Sequence, residues 1–595
     1  MMRLSQHIRR LLTALAVSIL ATAVEGDVIP YSGAEVAKNI AVFRIEDGGI
    51  RLELEIYPED LEVFERAFQL KLVTEPLTTP ANFPQPTSEK PLSMRIARAD
   101  GKPLPFDVMR VERRQRVDRA SPFAGMTDPL TGRPIPGPPE NPEVVYLEAF
   151  YSFEGARPET LIIHPPYSDD GSPAASVGFM VFDRAVPVTR FSFLKTDMQL
   201  TIDWADPWYS AITNPNFNRS AQDGTLSFLY VAPRELRHEI LIRVRDLAPW
   251  IGQELTTGSR LDSAHQSQIL AAALEEFKAR NPLSISSETI ASASVRGRFL
   301  KIGERGFQVV EGSPTLVADT TFVGVILTYP ISELPTTASI NWDMFDDTIQ
   351  KVPITLTDIA GPFFAWASPD EPIVTWTNHL KRYNNPEVTP VQAASIIVVP
   401  LWIVLAAVLS VGAGVIVFRS SKTLKWIGVM ALSTMSLFAG IAFSGAHTIP
   451  ILNPISGKSD TQIVTSAFSR LLTNTYVAAL EVFPEERKLA LAPIVIDTSL
   501  VDVAAELETS LTIRVPGGGR AQIVDVTDVV IVEGDITRRG QFEGVVQWRV
   551  DARAGHWGHD HRRRVEYRAR VEFQPDRGNW VLTAITVLEA RSPDV

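Results

Sequence analysis

Residues 556–561 read His556, Trp557, Gly558, His559, Asp560 and His561, so three of the chain's nine histidines fall within six positions. Imidazole is a common protein ligand for zinc and copper. A His-x-x-His-x-His spacing in a strand connection can fold onto one ion, with Asp560 as an orienting carboxylate or a fourth ligand. Copper or zinc is the cofactor such a loop would take. Arg562, Arg563 and Arg564 follow at once, and their charge opposes a divalent cation. That favours two competing readings, an anion- or partner-binding loop and a plain solvated turn.

A second constellation sets Asp203 and Asp206 beside Trp204 and Trp208. Aromatic faces next to carboxylates bind sugars or cations, and paired acids perform glycosidase-type acid and base chemistry. Against this ligand-binding reading, Asp206 before Pro207 is ordinary turn chemistry, and tryptophans at a strand end commonly plug the edge of a core. Gly517, Gly518 and Gly519 lack the strand-to-helix setting and the Lys-Ser/Thr of a phosphate loop and read as a hairpin turn. Five arginines between residues 110 and 119 are interleaved with Glu112 and Asp118, which points to a solvated strand or loop. No Gly-x-Ser-x-Gly elbow occurs, and no residue is assigned a catalytic role.

Composition narrows the classes further. The chain has 595 residues, 69 acids against 57 bases and a net charge of −12, so it lacks the basic balance of a general nucleic-acid binder. It contains no cysteine, which removes disulfides, Cys-ligated zinc, iron–sulfur clusters and thiol chemistry.

The elements that must position these residues are mostly strands. Residues 50–56 alternate apolar and charged side chains, and Asp47, Gly48 and Gly49 supply a hairpin turn. Further strand signals at 144–150, 177–182 and 226–231 make residues 27–237 a β-rich, sandwich-like unit. Residues 262–280 predict a helix, with Asp262 as cap and Ile269, Leu270, Ala273, Leu274 and Phe277 as its apolar stripe. It belongs to a helical connection over residues 238–285. Strand patterns return over 286–390 as a second β-rich unit. Residues 200–204 and 339–343 look faintly alike, and five residues cannot establish a duplication.

Residues 394–418 and 426–446 carry no charge, long enough for two spans of a bilayer core of about 30 Å. Arg419, Lys422 and Lys425 in the connection match a cytoplasmic turn, which predicts a transmembrane helical hairpin with both flanking regions outside. Basic residues before a short apolar run mark residues 1–26 as a signal peptide. A linker over 447–460 leads to an α+β unit at 461–595, where residues 461–481 predict an amphipathic helix and strands at 509–515, 523–532, 544–552, 565–573 and 580–588 end in an antiparallel meander.

The fold class expected is therefore mixed: β-rich sandwich-like units, a two-helix membrane hairpin and a C-terminal α+β domain. The function expected is that of an inner-membrane-anchored scaffold, assembly or partner-binding protein in the periplasm, without catalysis. Its partners would be the membrane and a membrane or periplasmic protein, and not nucleic acid. A copper- or zinc-handling accessory protein and an envelope glycan-acting enzyme are the alternatives.

Overall fold

The computed structural model describes residues 32–68, 71, 81–82, 94–119, 124–125, 133–214, 223–303, 306–393, 396–400, 448–452, 460–513, 521–537 and 540–591, and the statements below concern these. Alternation at 50–56 does what it encodes. Ile50, Leu52, Leu54 and Ile56 are fully buried, and the strand Gly49–Ile56 pairs antiparallel with Asn39–Glu46 through the turn at Asp47 and Gly48. Around this hairpin a larger sheet runs in the order Val177–Asp183, Asn39–Glu46, Gly49–Ile56, Glu143–Ser152, Phe106–Gln115. A smaller sheet, Met198–Thr201, Thr160–Ile163 and Ile96–Arg98, faces it across an apolar core that includes Phe43, Phe68, Phe106, Tyr151 and Phe179. Two sheets stacked over one core form a sandwich.

The chain enters a second such unit at Thr225. Its larger sheet runs Val352–Asp358, Thr225–Ala232, Glu235–Arg243, Thr321–Pro330, Ser294–Gly303, and its smaller sheet holds Ile373–Thr377, Thr337–Asn341 and Leu283–Ile285. This path repeats that of the first unit strand for strand. In both larger sheets the first pair is parallel and the rest of the quoted path is antiparallel. A helix follows the opening hairpin in each, Leu61–Phe68 in the first and Ser263–Ala279 in the second. The two β units are thus a duplication in topology. The similar stretches 200–204 and 339–343 do not mark it, because they leave Met198–Thr201 and Thr337–Asn341, strands that are not counterparts.

Helix Ser263–Ala279 begins where its capping chemistry says it should, with Asp262 Oδ1 accepting from His265 N at 2.9 Å, and it buries Ile269, Ala273 and Phe277 on the sheet. Residues 391–392 leave the second unit and join the edge of the third as a short strand paired to Asn579 and Trp580. The third unit is a five-stranded antiparallel sheet, with Asn579–Arg591, His559–Asp576, Phe542–His556 and Gln522–Ile536 following in order. Helices Asp460–Ala478, Pro484–Leu491 and Leu500–Glu506 close its core, where Phe468 meets Trp548 and Phe573. Residues 507–511, read in part as strand, instead form a wide helical turn whose Leu507 and Leu511 are fully buried.

The membrane hairpin is corrected. Among the described residues no helix is long and apolar enough to cross a membrane. The opening of the first expected span, Ile396–Pro400, is an extended strand paired antiparallel with Thr448–Leu452. The run Ile396-Ile397-Val398-Val399 is β-branched throughout, which favours a strand over a helix. An inner-membrane anchor, and the placement of both flanking regions on one side of it, is therefore not supported. The remainder of both runs, residues 394–395, 401–418 and 426–446, lies outside the described residues. So do the signal-peptide stretch 1–26 and the glycines at 517–519.

Candidate functional site

Strand Glu235–Arg243 lies inside the second unit's larger sheet and presents two unlike faces. Leu236, Ile240 and Ile242 enter the core beneath helix Ser263–Ala279. Arg237, Glu239, Leu241 and Arg243 alternate with them and face the other way, where period-two geometry makes a single row. Strands on both sides add Leu226, Phe228, Leu300, Phe322 and Ile326 to this second face. In a lone sandwich it would meet water. Here both neighbouring units cover it, and all three units meet on it.

The C-terminal unit contributes the tip of its longest hairpin. Strands Phe542–His556 and His559–Asp576 remain paired up to His556 opposite His559, whereas the flanking strands end their pairing at Arg553 and Glu566. The tip therefore projects beyond the sheet. Its turn residues, Trp557 and Gly558, have φ of 49° and 80°, the positive values that tight hairpin turns require. A tryptophan rarely adopts such a backbone, and the docking geometry accounts for it. The Trp557 ring, 1% exposed, joins the apolar cluster of the second unit. Trp557 N donates to Glu239 Oε2 at 2.6 Å, Gly558 N donates to the Tyr230 hydroxyl at 3.0 Å, and Arg237 donates to the Gly555 carbonyl.

Two glycines make room for this fit. A Cβ on Gly324 would stand 2.6 Å from the Trp557 ring and 2.4 Å from Leu300, and one on Gly555 would stand 2.6 Å from the Tyr230 ring. Glu239 is fully buried and pairs with Arg237 at 2.7 Å. Burial pushes its carboxyl above the usual carboxylate range, opposed by Arg237 and by the Trp557 N–H. Burial likewise works against the charge of Arg237, and Glu239 and Glu235 more than restore it. A further ion pair, Arg234 with Glu481 at 3.2 Å, ties the same two units at the surface.

The first unit docks on the other end of the row. Asp206 caps the short turn Pro207–Tyr209 through Trp208 N at 3.0 Å and accepts from Arg243 at 3.0 and 3.1 Å. Arg243 also holds Asp246 through two bonds of 2.7 and 2.8 Å and lies 5.2 Å from the Trp208 ring centroid. Trp208 is 2% exposed and meets Phe322 edge-on at 5.5 Å. Asp203 accepts from Ala205 N and Asp206 N, while Trp204 donates to the Pro158 carbonyl and packs against Phe153. Asp206 and Trp208 thus sit in the junction, and Asp203 and Trp204 order the turn leading to it.

Of the histidine loop, His556 is 4% exposed at the base of the docked tip. Residues 559–561 are described in backbone only, so a ligand set of His556, His559 and His561 with Asp560 lies in part outside what is described. Among the described residues no group of three His, Asp or Glu could hold a metal ion, a finding that does not reach this partly undescribed set. The loop's described role is apolar and backbone-mediated, centred on Trp557. Glu239, Arg237 and Arg243 had no signal but the alternation of charged residues along 235–243, and Tyr230 and Gly324 had none.

No protein-family model matches the sequence, and none of the curated proteins matches it. Among solved structures, the crystal structure of the intermembrane space region of the chloroplast protein ARC6 is similar at 15% identity and a TM-score of 0.17, over 22% of this chain and 98% of that one. A likeness of that size says nothing about what this chain does.

Proposed function

We propose that this chain is a non-catalytic scaffold in which the second unit is a hub, fixing the first and third units so that a protein partner meets them together. The observation that supports this reading is the row Arg237, Glu239, Leu241 and Arg243, one strand face that receives elements from both neighbours. Units held in one arrangement bind a shared partner at high effective concentration, which independent modules on flexible linkers do not achieve. The acidic balance of the chain favours protein over nucleic acid as that partner. Crosslinking followed by affinity isolation from the native source should recover a stoichiometric protein partner. The partner should be lost when Trp557→Ala frees the C-terminal unit while circular dichroism shows the units still folded. Repeated isolation of the chain alone would remove the proposal.

A further inference from the structure

Four arginines are classed as deeply buried among the described residues, and three have a carboxylate partner: Arg119 with Glu55, Arg243 with Asp206 and Asp246, and Arg487 with Glu508. Arg95 is the fourth. It is 4% exposed, and among the described residues neither an acid nor a carbonyl accepts from its guanidinium. The guanidinium carbon instead lies 4.3 Å from the centroid of Phe106, whose ring stacks on Tyr151 at 5.2 Å and leans on Phe68 at 5.7 Å.

A guanidinium cannot shed its charge in a protein and carries five N–H donors, so burying it beside rings alone leaves those donors unsatisfied. The aromatic face compensates only in part. His164 Nε2, one strand away, is likewise buried without a partner. His164 is the neighbour of Arg95 across the small sheet: its N–H donates to the Arg95 carbonyl at 3.0 Å, and its Nδ1 lies 2.7 Å from Asp197. Among the described residues, two unused polar groups thus sit at the same end of the first unit's smaller sheet, and one of them is a permanent cation.

We propose that Arg95 anchors an oxyanion-binding site, receiving a carboxylate or phosphate group edge-on while Phe106 backs the guanidinium plane. The planar fork of donors matches two oxygens of either group, and the ring behind it fixes the fork's orientation. Burial lowers the guanidinium's affinity for its proton, in keeping with a charge that lacks its counterion.

The test uses the full chain and follows its melting temperature against sodium phosphate and sodium acetate, each matched in ionic strength by sodium chloride. One anion should raise it saturably above the chloride control. Phosphate alone assigns a phosphoryl ligand, and acetate alone a carboxylate. Arg95→Met should abolish the rise, and Arg95→Lys, which keeps the charge and loses the fork, should weaken it. Absence of a rise for both anions in the unaltered protein, or a rise that persists in Arg95→Met, overturns the site and leaves Arg95 as a cap on the aromatic stack. Should Arg95→Met fail to fold, an undiminished rise in Arg95→Lys overturns the forked contact.

Discussion

The first unit meets the hub strand through charge, with Asp206, Asp246 and the Arg243 guanidinium in one buried network and Trp208 laid against it. The C-terminal hairpin meets the same strand through shape, with one tryptophan ring, two backbone N–H groups and two glycines that make space. The first contact follows the chain closely, since residue 206 lies 37 positions from Arg243, whereas Trp557 reaches Glu239 across 318. A short connection confines the first unit near the hub before any bond forms, so directional ionic pairing suffices to set its orientation. The hairpin has a long loop to close, and an apolar anchor supplies a driving force that ionic pairs, with their desolvation penalty, supply less reliably.

The sharpest way to break this contrast is Trp557→Ala, expected to remove about 3–5 kcal/mol from the docking of the C-terminal unit. Limited proteolysis should then cut the hairpin while the contact of the first unit stays protected. Equal exposure of both contacts would mean that the two are not separable.

Arg243→Met attacks the other side by leaving Asp206 and Asp246 buried without their cation, an expected loss of roughly 3–5 kcal/mol in denaturant unfolding. Here the first unit should loosen, and hydrogen exchange at Trp557 and Gly558 should stay slow.

A smaller loss, about 1–3 kcal/mol, is expected for Gly324→Ala, because its Cβ must displace the Trp557 ring and Leu300. Its cost should fall when combined with Trp557→Ala, since the ring it collides with is then gone. A double mutant that merely adds the two losses would show that the ring does not rest on Gly324.

A graded probe is pH, whose effect within the first pH unit below neutrality is the smallest of these. His238 lies on the core side of the hub strand, fully buried, with Nε2 2.8 Å from Ser227 Oγ, and burial pushes it down from 6.5 to about 3. Its native form stays neutral while the unfolded chain protonates. The stability it contributes is therefore complete above pH 6.5 and is lost as pH falls toward 3, at about 1.4 kcal/mol per pH unit. Both dockings share this strand, so acidification should loosen them together, and His238→Gln should flatten that part of the pH profile. Separate release of one unit under acid would place the sensitive group elsewhere.

Much of the local structure was legible. The alternation at 50–56, the Asp262 cap and the buried row Val565, Tyr567, Ala569, Val571 and Phe573 each follow from the spacing of apolar side chains. Charge was the unreliable guide. Arg237, Glu239 and Arg243 have the period of a wet strand face, and Arg114 and Arg119 read as solvated, yet Arg119 and Arg114 close on the buried Glu55 at 2.7 and 3.0 Å. The opening of the uncharged run, Ile396–Pro400, misled in the opposite direction, since hydrophobicity alone does not separate a membrane helix from a strand whose side chains are β-branched.

By itself the sequence determined the period of its strands, the start of helix Ser263–Ala279 and the absence of cysteine chemistry, because each depends on residues within one turn or one hairpin of each other. Only the tertiary structure decided that one strand's charged face would be buried from both sides, that the two β units share a topology, and that Trp557 would make a long-range contact. Those outcomes depend on what arrives from hundreds of residues away, and no local pattern records which surface another unit will cover.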